Sequence, residues 1–336
     1  MSIYLGIDIG ASTVKLGLFD PEKGVIGARL DRPSSASEGP DATVNVIKTA
    51  TRDLLQANEL QFQDLKAIGA CCPAPIDASG MCVYPTNIDP SWQGMNIAQK
   101  LSEALQLPAL LLNDGDAAAY REYRVREAQN KASSCMAQFI TGTGLGGALI
   151  INGKIWSAPA VSAELGHICI DSSENADLCG CGARGCVETR ASLLGLRNMV
   201  KHRQAKGNVP EALQGEPIEV AKTLRRLGQM DDPLSDVVAI WQEYFTSLGI
   251  AARNVINILG CDLIVISGGA QEKEKTASDG AYQRFKQDAI SWIRQGIDQG
   301  FPHLTQTRVE WSIDTLLDSA AYGAAQYASV TENIKS

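Results

Sequence analysis

The chain of 336 residues carries 30 Lys and Arg against 38 Asp and Glu, a formal charge of −8, with 45% hydrophobic and 20% charged residues. This composition excludes a mainly disordered chain, and the acidic balance provides no broad attraction to nucleic acid or to an anionic membrane. No apolar run reaches the roughly 18 residues of a membrane-spanning helix, and the N-terminus lacks the basic, apolar and small-residue order of a signal peptide, so a cytoplasmic protein of about two domains is expected.

In chain order, Ile3–Ile7 and Val14–Phe19 are β-rich runs separated by the small polar turn Asp8-Ile9-Gly10-Ala11-Ser12-Thr13. Apolar spacing predicts helices over 42–57 and 97–105 that cover this first sheet. The run Leu107–Asn113 reads as a strand that ends in Asn113-Asp114-Gly115-Asp116 and enters an Ala-rich helix. The first device then recurs: strands Met136–Ile140 and Ala148–Asn152 flank Thr141-Gly142-Thr143-Gly144-Leu145-Gly146-Gly147, which suggests two related halves. Further helices are predicted near 191–206 and 233–259, then a buried strand Asp262–Ser267 with the turn Gly268-Gly269. A final small-residue helix, about 318–329, is expected to return to the first half. Residues 204–216 and 272–280 read as exposed loops.

Turns of this kind let backbone N–H groups approach phosphate oxygens, while Ser or Thr hydroxyls add donors. One such turn alone reads as a hairpin that needs positive φ; two of them point to a phosphate held from both sides. Neither is a Walker A loop or a Rossmann fingerprint.

Three of nine cysteines fall within eight residues, Cys179, Cys181 and Cys186, with His167 upstream. One imidazole and three thiols form a tetrahedral zinc donor set, and Gly180, Gly182 and Gly185 permit the tight wrap. The plainer alternative is reduced structural cysteines beside a surface histidine. Four protein ligands leave no open coordination position, so the expected ion organises structure and activates no water.

Asp114, between a strand end and a helix N-terminus, is a candidate general base with Asn113 as its hydrogen-bonding neighbour; the alternative is a helix cap. Glu164 and Glu188 bracket the zinc segment and suit a polyhydroxylated ligand such as a sugar, the alternative being solvated surface glutamates. Asn87 is, by itself, an ordinary turn residue.

Taken together, DIGASTVK (8–15), PAPID (73–77) with PTNIDPSW (85–92), NDGDAAA (113–119), TGTGLGG (141–147), ELGH (164–167) and CGCGARGCVE (179–188) resemble the ROK family of bacterial sugar kinases and repressors, within the actin, hexokinase and heat-shock ATPase superfamily. The resemblance spans nearly the whole chain. It implies an α/β, two-domain actin-like ATPase (ribonuclease H-like) fold, with residues 1–115 plus 318–336 as the smaller domain and 116–317 as the larger one carrying the zinc loop.

On matching positions it implies ATP contacts at Asp8, Gly10, Ser12, Thr13, Thr141, Gly142, Thr143 and Gly144, with Gly268 and Gly269 at the adenosine. Asp114 matches the general base, and Asn87, Asn113, Asp114, Glu164, His167 and Glu188 match the sugar contacts, His167 serving both sugar and zinc. The implied reaction is phosphoryl transfer from ATP to a sugar hydroxyl, most readily O6 of glucose, with Mg²⁺ held through water by Asp8, structural Zn²⁺ and closure of two domains. N-acetylglucosamine and fructose are alternative acceptors.

Three positions depart from the family pattern. Ala11 stands where glycine is usual in DIGGT, Ala74 replaces a common glycine, and Asp116 resembles polyphosphate-using glucokinases, which keeps polyphosphate as an alternative donor. A sugar-responsive repressor is disfavoured because the first core strand begins at about Ile3, and a silent sugar-binding protein because Asp114 and the glycine turns are retained. The implied assembly is a homodimer with a small-molecule sugar as partner.

Overall fold

The computed structural model describes residues 2–77, 80–83, 88–157, 163–207, 209–314 and 319–331. In chain order the first elements are β1 (Ile3–Ile9), β2 (Thr13–Asp20), β3 (Gly24–Pro33), α1 (Pro40–Ala57), β4 (Leu65–Cys72), α2 (Ile97–Leu105), β5 (Ala109–Asn113) and α3 (Asp114–Ala128). They continue with β6 (Cys135–Thr141), β7 (Leu145–Ile151), β8 (Lys154–Ile155), α4 (Leu193–Lys206), α5 (Pro217–Gly228), α6 (Ser235–Leu259), β9 (Leu263–Gly268), α7 (Asp279–Ile297), β10 (Arg308–Trp311) and α8 (Ser319–Val330). The chain separates into two compact units, 1–132 with 153–163 and 313–336, and 133–152 with 164–312.

In the first unit the strands run β3-β2-β1-β4-β5; β1 and β2 are antiparallel, whereas β4 lies parallel to both β1 and β5. The two-residue period of a strand sorts its side chains by parity. Ile3, Leu5, Ile7 and Ile9 of β1 and Ile68, Ala70 and Cys72 of β4 join the core formed with Val44, Ile47 and Leu54 of α1 and Leu101 of α2. Residues of opposite parity face α8, and there the sequence supplies Gly6 and Gly69. A Cβ at Gly6 would lie 2.3 Å from the Ala321 carbonyl oxygen, and one at Gly69 would lie 2.0 Å from that of Ala324. The C-terminal helix packs on this sheet because two strands lack side chains where its backbone rests.

The boundary expected at 115/116 falls instead at 132/133. α3 packs along α8, and Glu122 of α3 accepts hydrogen bonds from Ile313 N (3.1 Å) and Asp314 N (3.0 Å) while pairing with Arg126 at 2.6 Å. Both members of that pair are buried, so separating α3 from the chain segment ahead of α8 would strip two amide hydrogen bonds from a buried carboxylate and leave the amides without their acceptor.

In the second unit the strands run β10-β9-β6-β7; β6, β9 and β10 are parallel, and β7 is antiparallel to β6. The strand, turn and strand of β1–β2 thus recur as β6–β7, and each turn closes with a short backbone bond, Gly10 N to Thr13 O and Gly142 N to Gly144 O, both 2.9 Å. α5 and α7 stand where the sequence reading assigns no helix. Pro217 at the first turn of α5, followed by buried Val220, Ala221 and Leu224, is the signal that marks the former.

Candidate functional site

The second glycine turn joins β6 to β7, and where it leaves β6 that strand's end meets the end of β9 at the pair Thr141 and Gly268. The Thr141 hydroxyl donates to Ser267 O at 2.8 Å and accepts from Ala270 N at 3.0 Å. Its side chain is buried and faces the strand ends, so it acts as a strut beneath the turn. Gly268 has φ +84, and a Cβ there would lie 2.1 Å from Thr141 O. No other residue type fits without moving the backbone.

Beside this junction lies a cavity of about 240 Å³, reached by Gly142 and Gly269 and walled by Leu193, Leu196, Ala221, Trp241 and Tyr244. Arg225 of α5 also lines it. The guanidinium donates to Gly269 O (2.7 Å) and pairs with Glu272 and Glu274 at 2.5 Å each. Gln229 adds two bonds to the same segment, to Glu272 O and from Glu274 N. The lining is mainly apolar, with Thr141, Lys222 and Arg225 as polar members, a setting suited to a flat heterocycle.

His167, Cys179, Cys181 and Cys186 converge, with their ligand atoms all within 4.8 Å of one another. With Zn–S of about 2.3 Å and Zn–N of about 2.1 Å, a tetrahedron spaces two sulfurs about 3.8 Å apart and a sulfur and a nitrogen about 3.6 Å apart. Cys181 and Cys186 sulfurs are separated by 3.7 Å, and Cys179 Sγ lies 3.5 Å from His167 Nδ1. The donor set therefore fits zinc in both chemistry and spacing. Gly182 and Gly185 have φ of +90 and +74, and a Cβ at Gly185 would lie 1.7 Å from Asp171 O. Gly180 has open space and no such backbone demand, so only two of the three glycines are needed for the wrap.

Without metal the thiols differ. Burial pushes Cys179 far above the ordinary thiol value and Cys186 up to about 11. For Cys181 burial works in the same direction, but hydrogen bonding to the Ala183 amide and to the other two thiols outweighs it and lowers the group. Zinc must therefore displace tightly held protons, which ties its affinity to pH.

Glu164 and Glu188 both stand at this cluster. Burial raises the Glu164 carboxyl above its ordinary value, opposed by His167 and reinforced by Glu188. Glu188 reaches the glycine turn: its Oε2 accepts from Leu145 N at 2.9 Å, while Oε1 lies 3.4 Å from Cys179 Sγ. Of the residues the sequence assigns to the second unit, Gly142, Thr143, Gly144, Glu164, His167, Glu188 and the three cysteines thus form one continuous region, with Gly268 and Gly269 behind the turn.

In the first unit, Asp8 belongs to β1 and not to the turn, opposite Lys15 of β2, whose Nζ lies 3.2 Å from its carboxylate. Lys15 had no assigned role in the sequence reading; the antiparallel register is what brings it there. Gly10, Ser12 and Thr13 form the turn proper, backed by Ser34, whose hydroxyl donates to Ala11 O at 2.8 Å and whose amide donates to Ser12 O at 3.0 Å. Asn113 caps α3, its Oδ1 accepting from Gly115 N at 2.8 Å and its Nδ2 donating to Ala74 O at 3.2 Å. Because Asn113 holds the cap, the helix does not need Asp114 for that purpose. Asp114 sits at the first helical position with Oδ1 2.8 Å from Gly115 N. Burial pushes the Cys71 thiol up, and Asp8 and Asp114 add to it. The strand register sets Asp8 beside Cys71 and Asn113 beside Cys72, which brings Asp8 and the Asn113-Asp114 junction to the carboxyl end of β4. This is where open α/β sheets collect ligands. Asn87 lies outside the described residues.

A glucokinase of Halalkalibacterium halodurans is 27% identical over 302 residues, covering 88% of each chain. Among solved structures, a ROK family glucokinase from Streptomyces griseus in complex with glucose and AMPPNP superposes with a TM-score of 0.72 at 22% identity, covering 97% of this chain and 98% of that one. A ROK family transcriptional regulator, a homolog of the E. coli MLC protein, gives 0.76 at 20% identity, covering 97% of this chain and 78% of that one. These two structures share the α/β fold of paired mixed sheets, and since the ROK family model matches residues 4–295, the chain belongs to the ROK family.

Proposed function

We propose that the chain is a carbohydrate kinase that transfers the γ-phosphoryl group of ATP to a hexose hydroxyl, with O6 of glucose as the acceptor. The observation that carries this reading is the placement of the turn at 142–144. The Gly142 end of the turn lines the mainly apolar cavity, and the Glu188 carboxylate rests against the Gly144 end. A nucleotide with its base in the cavity would run its phosphates along the turn toward a sugar held by Glu164, His167 and Glu188.

His167 directs Nδ1 into the metal cluster, so Nε2 is the nitrogen assigned to a sugar hydroxyl. His167 and the three cysteines would hold zinc, which supplies rigidity to this loop. Asn113 and Asp114 are assigned to the sugar by the family resemblance. Asp114 takes the proton of the attacking hydroxyl as it approaches the γ-phosphorus, and the bond from phosphorus to the bridging oxygen breaks to release ADP. Gly10, Ser12 and Thr13 supply phosphate donors from the first turn. Asp8 is the residue that would hold Mg²⁺, which neutralises phosphate charge when bound. Homodimerisation and a cytoplasmic location belong to the same proposal, the former checked by sedimentation.

The test is a coupled ADP-release assay with Mg-ATP against glucose, N-acetylglucosamine, N-acetylmannosamine, fructose and allose. Glucose-dependent turnover well above the other sugars is expected. Turnover with another sugar would reassign the acceptor, turnover with polyphosphate alone would reassign the donor, and sugar-induced stabilisation with neither donor active would favour a sugar-sensing regulator.

A further inference from the structure

The metal loop and the phosphate turn are physically joined, and Glu188 is the joint. Its Oε2 accepts from Leu145 N at 2.9 Å, and a Cβ at Gly144 would lie 2.4 Å from that same oxygen, so the carboxylate is packed directly on the turn. Leu145 is buried, so its amide has little recourse to water if the acceptor is removed.

The main chain following Glu188 completes the attachment. Glu188 O accepts from the Ser192 hydroxyl at 2.7 Å, and that hydroxyl accepts from Gly195 N at 3.0 Å, capping α4. The next two amides of α4, Leu193 N and Leu194 N, donate to Gly142 O (3.0 Å) and Thr143 O (3.2 Å). From the other arm of the metal loop, Leu165 and Gly166 press on Leu145 and Gly147: a Cβ at Gly166 would lie 1.9 Å from Leu145 O, and one at Gly147 would lie 2.8 Å from Leu165. The turn is therefore gripped on both sides by residues that adjoin zinc ligands.

We propose that Glu188 is a positioning residue for the phosphate donor, transmitting the order of the metal loop to the 142–145 turn through the Leu145 amide, in addition to any contact with sugar. This rests on reading that turn as a phosphate site. It makes nucleotide binding dependent on a residue that the sequence pattern assigns to the sugar alone.

The experiment compares wild type, Glu188→Ala and Glu188→Gln, each with its zinc content measured, in two readouts taken without sugar. The first is the Kd of a non-hydrolysable ATP analogue with Mg²⁺. Glu188→Ala is expected to bind about tenfold more weakly with zinc retained, whereas Glu188→Gln, which keeps an acceptor for Leu145 N, stays within about threefold of wild type. The second is amide hydrogen exchange across 141–147. Chelating zinc should deprotect this segment in wild type, and zinc-loaded Glu188→Ala should already match the chelated protein. A zinc-replete Glu188→Ala that protects the turn and binds nucleotide as wild type does overturns the proposal. If wild type binds no nucleotide, the kinase reading fails, yet the exchange comparison still decides whether Glu188 holds the turn. Should Glu188→Ala fail to fold, Glu188→Asp replaces it: the shorter carboxylate keeps the charge but falls short of Leu145 N, so exchange faster than in Glu188→Gln is expected, and the reverse order overturns the idea.

Discussion

Thr141 and Ser267 close the ends of two parallel strands: the threonine hydroxyl donates to the serine carbonyl at 2.8 Å and takes the Ala270 amide at 3.0 Å. A residue that the sequence pattern offers as a phosphate contact is thus, in its side chain, a strut that fixes one glycine turn against another. Thr141→Val keeps the shape but removes the hydroxyl, leaving a buried carbonyl and amide without their partner. A loss of about 1–3 kcal/mol in unfolding free energy is expected, with KM for nucleotide rising more than KM for sugar. Thr141→Ser should behave nearly as wild type. Chemical denaturation and steady-state kinetics on the two variants check this, and equal behaviour would remove the strut.

The metal site makes a separate claim about glycines. Metal analysis should find about one zinc per chain, and chelation at neutral pH should lower the melting temperature by at least about 5 °C. Gly185→Ala, with φ of +74 and Asp171 O in the way, should lose the metal, whereas Gly180→Ala should keep it. Because Cys186 is pushed up to about 11 without metal, and Cys179 higher still, zinc uptake releases protons and weakens as pH falls. Zinc retention that is indifferent both to Gly185→Ala and to acidification would contradict the assignment.

Gly69→Ala tests how α8 is seated. The added methyl would stand 2.0 Å from Ala324 O and 2.2 Å from its carbonyl carbon, and both are main-chain atoms that cannot rotate away. Overpacking of this kind costs about 1–3 kcal/mol or more, so a marked fall in melting temperature is expected. An unchanged melting temperature would mean that α8 does not rest on β4 as described.

What could be read directly from the sequence was local. The candidate metal ligands Cys179, Cys181 and Cys186, which the fold brings together with His167, lie within one tight loop, and Gly182 and Gly185 advertise its backbone. Asn113 and Asp114 lie at a strand-to-helix junction whose two sides have opposite periodicity. The repeated strand, turn and strand device also needed only short windows. What escaped was made by distant pairing. Arg225 grips a segment 44 to 49 positions away, and neither α5 nor the path of 269–274 is visible from charge pattern alone. Glu122 holds Ile313 and Asp314 across 191 and 192 positions, which is why the unit boundary moves past α3. The inward turn of the Thr141 hydroxyl follows from parallel register with β9, and no property of the TGTG segment by itself reports that.

The most direct test of the central claim is product analysis by NMR after incubation with Mg-ATP and glucose, wild type beside Asp114→Asn. The account predicts glucose phosphorylated at O6 by the wild type. For the variant it predicts a rate lower by about 10²–10⁴, with KM for glucose little changed. Absence of any sugar phosphate from wild type, or an Asp114→Asn variant that forms it at the wild-type rate, would contradict it.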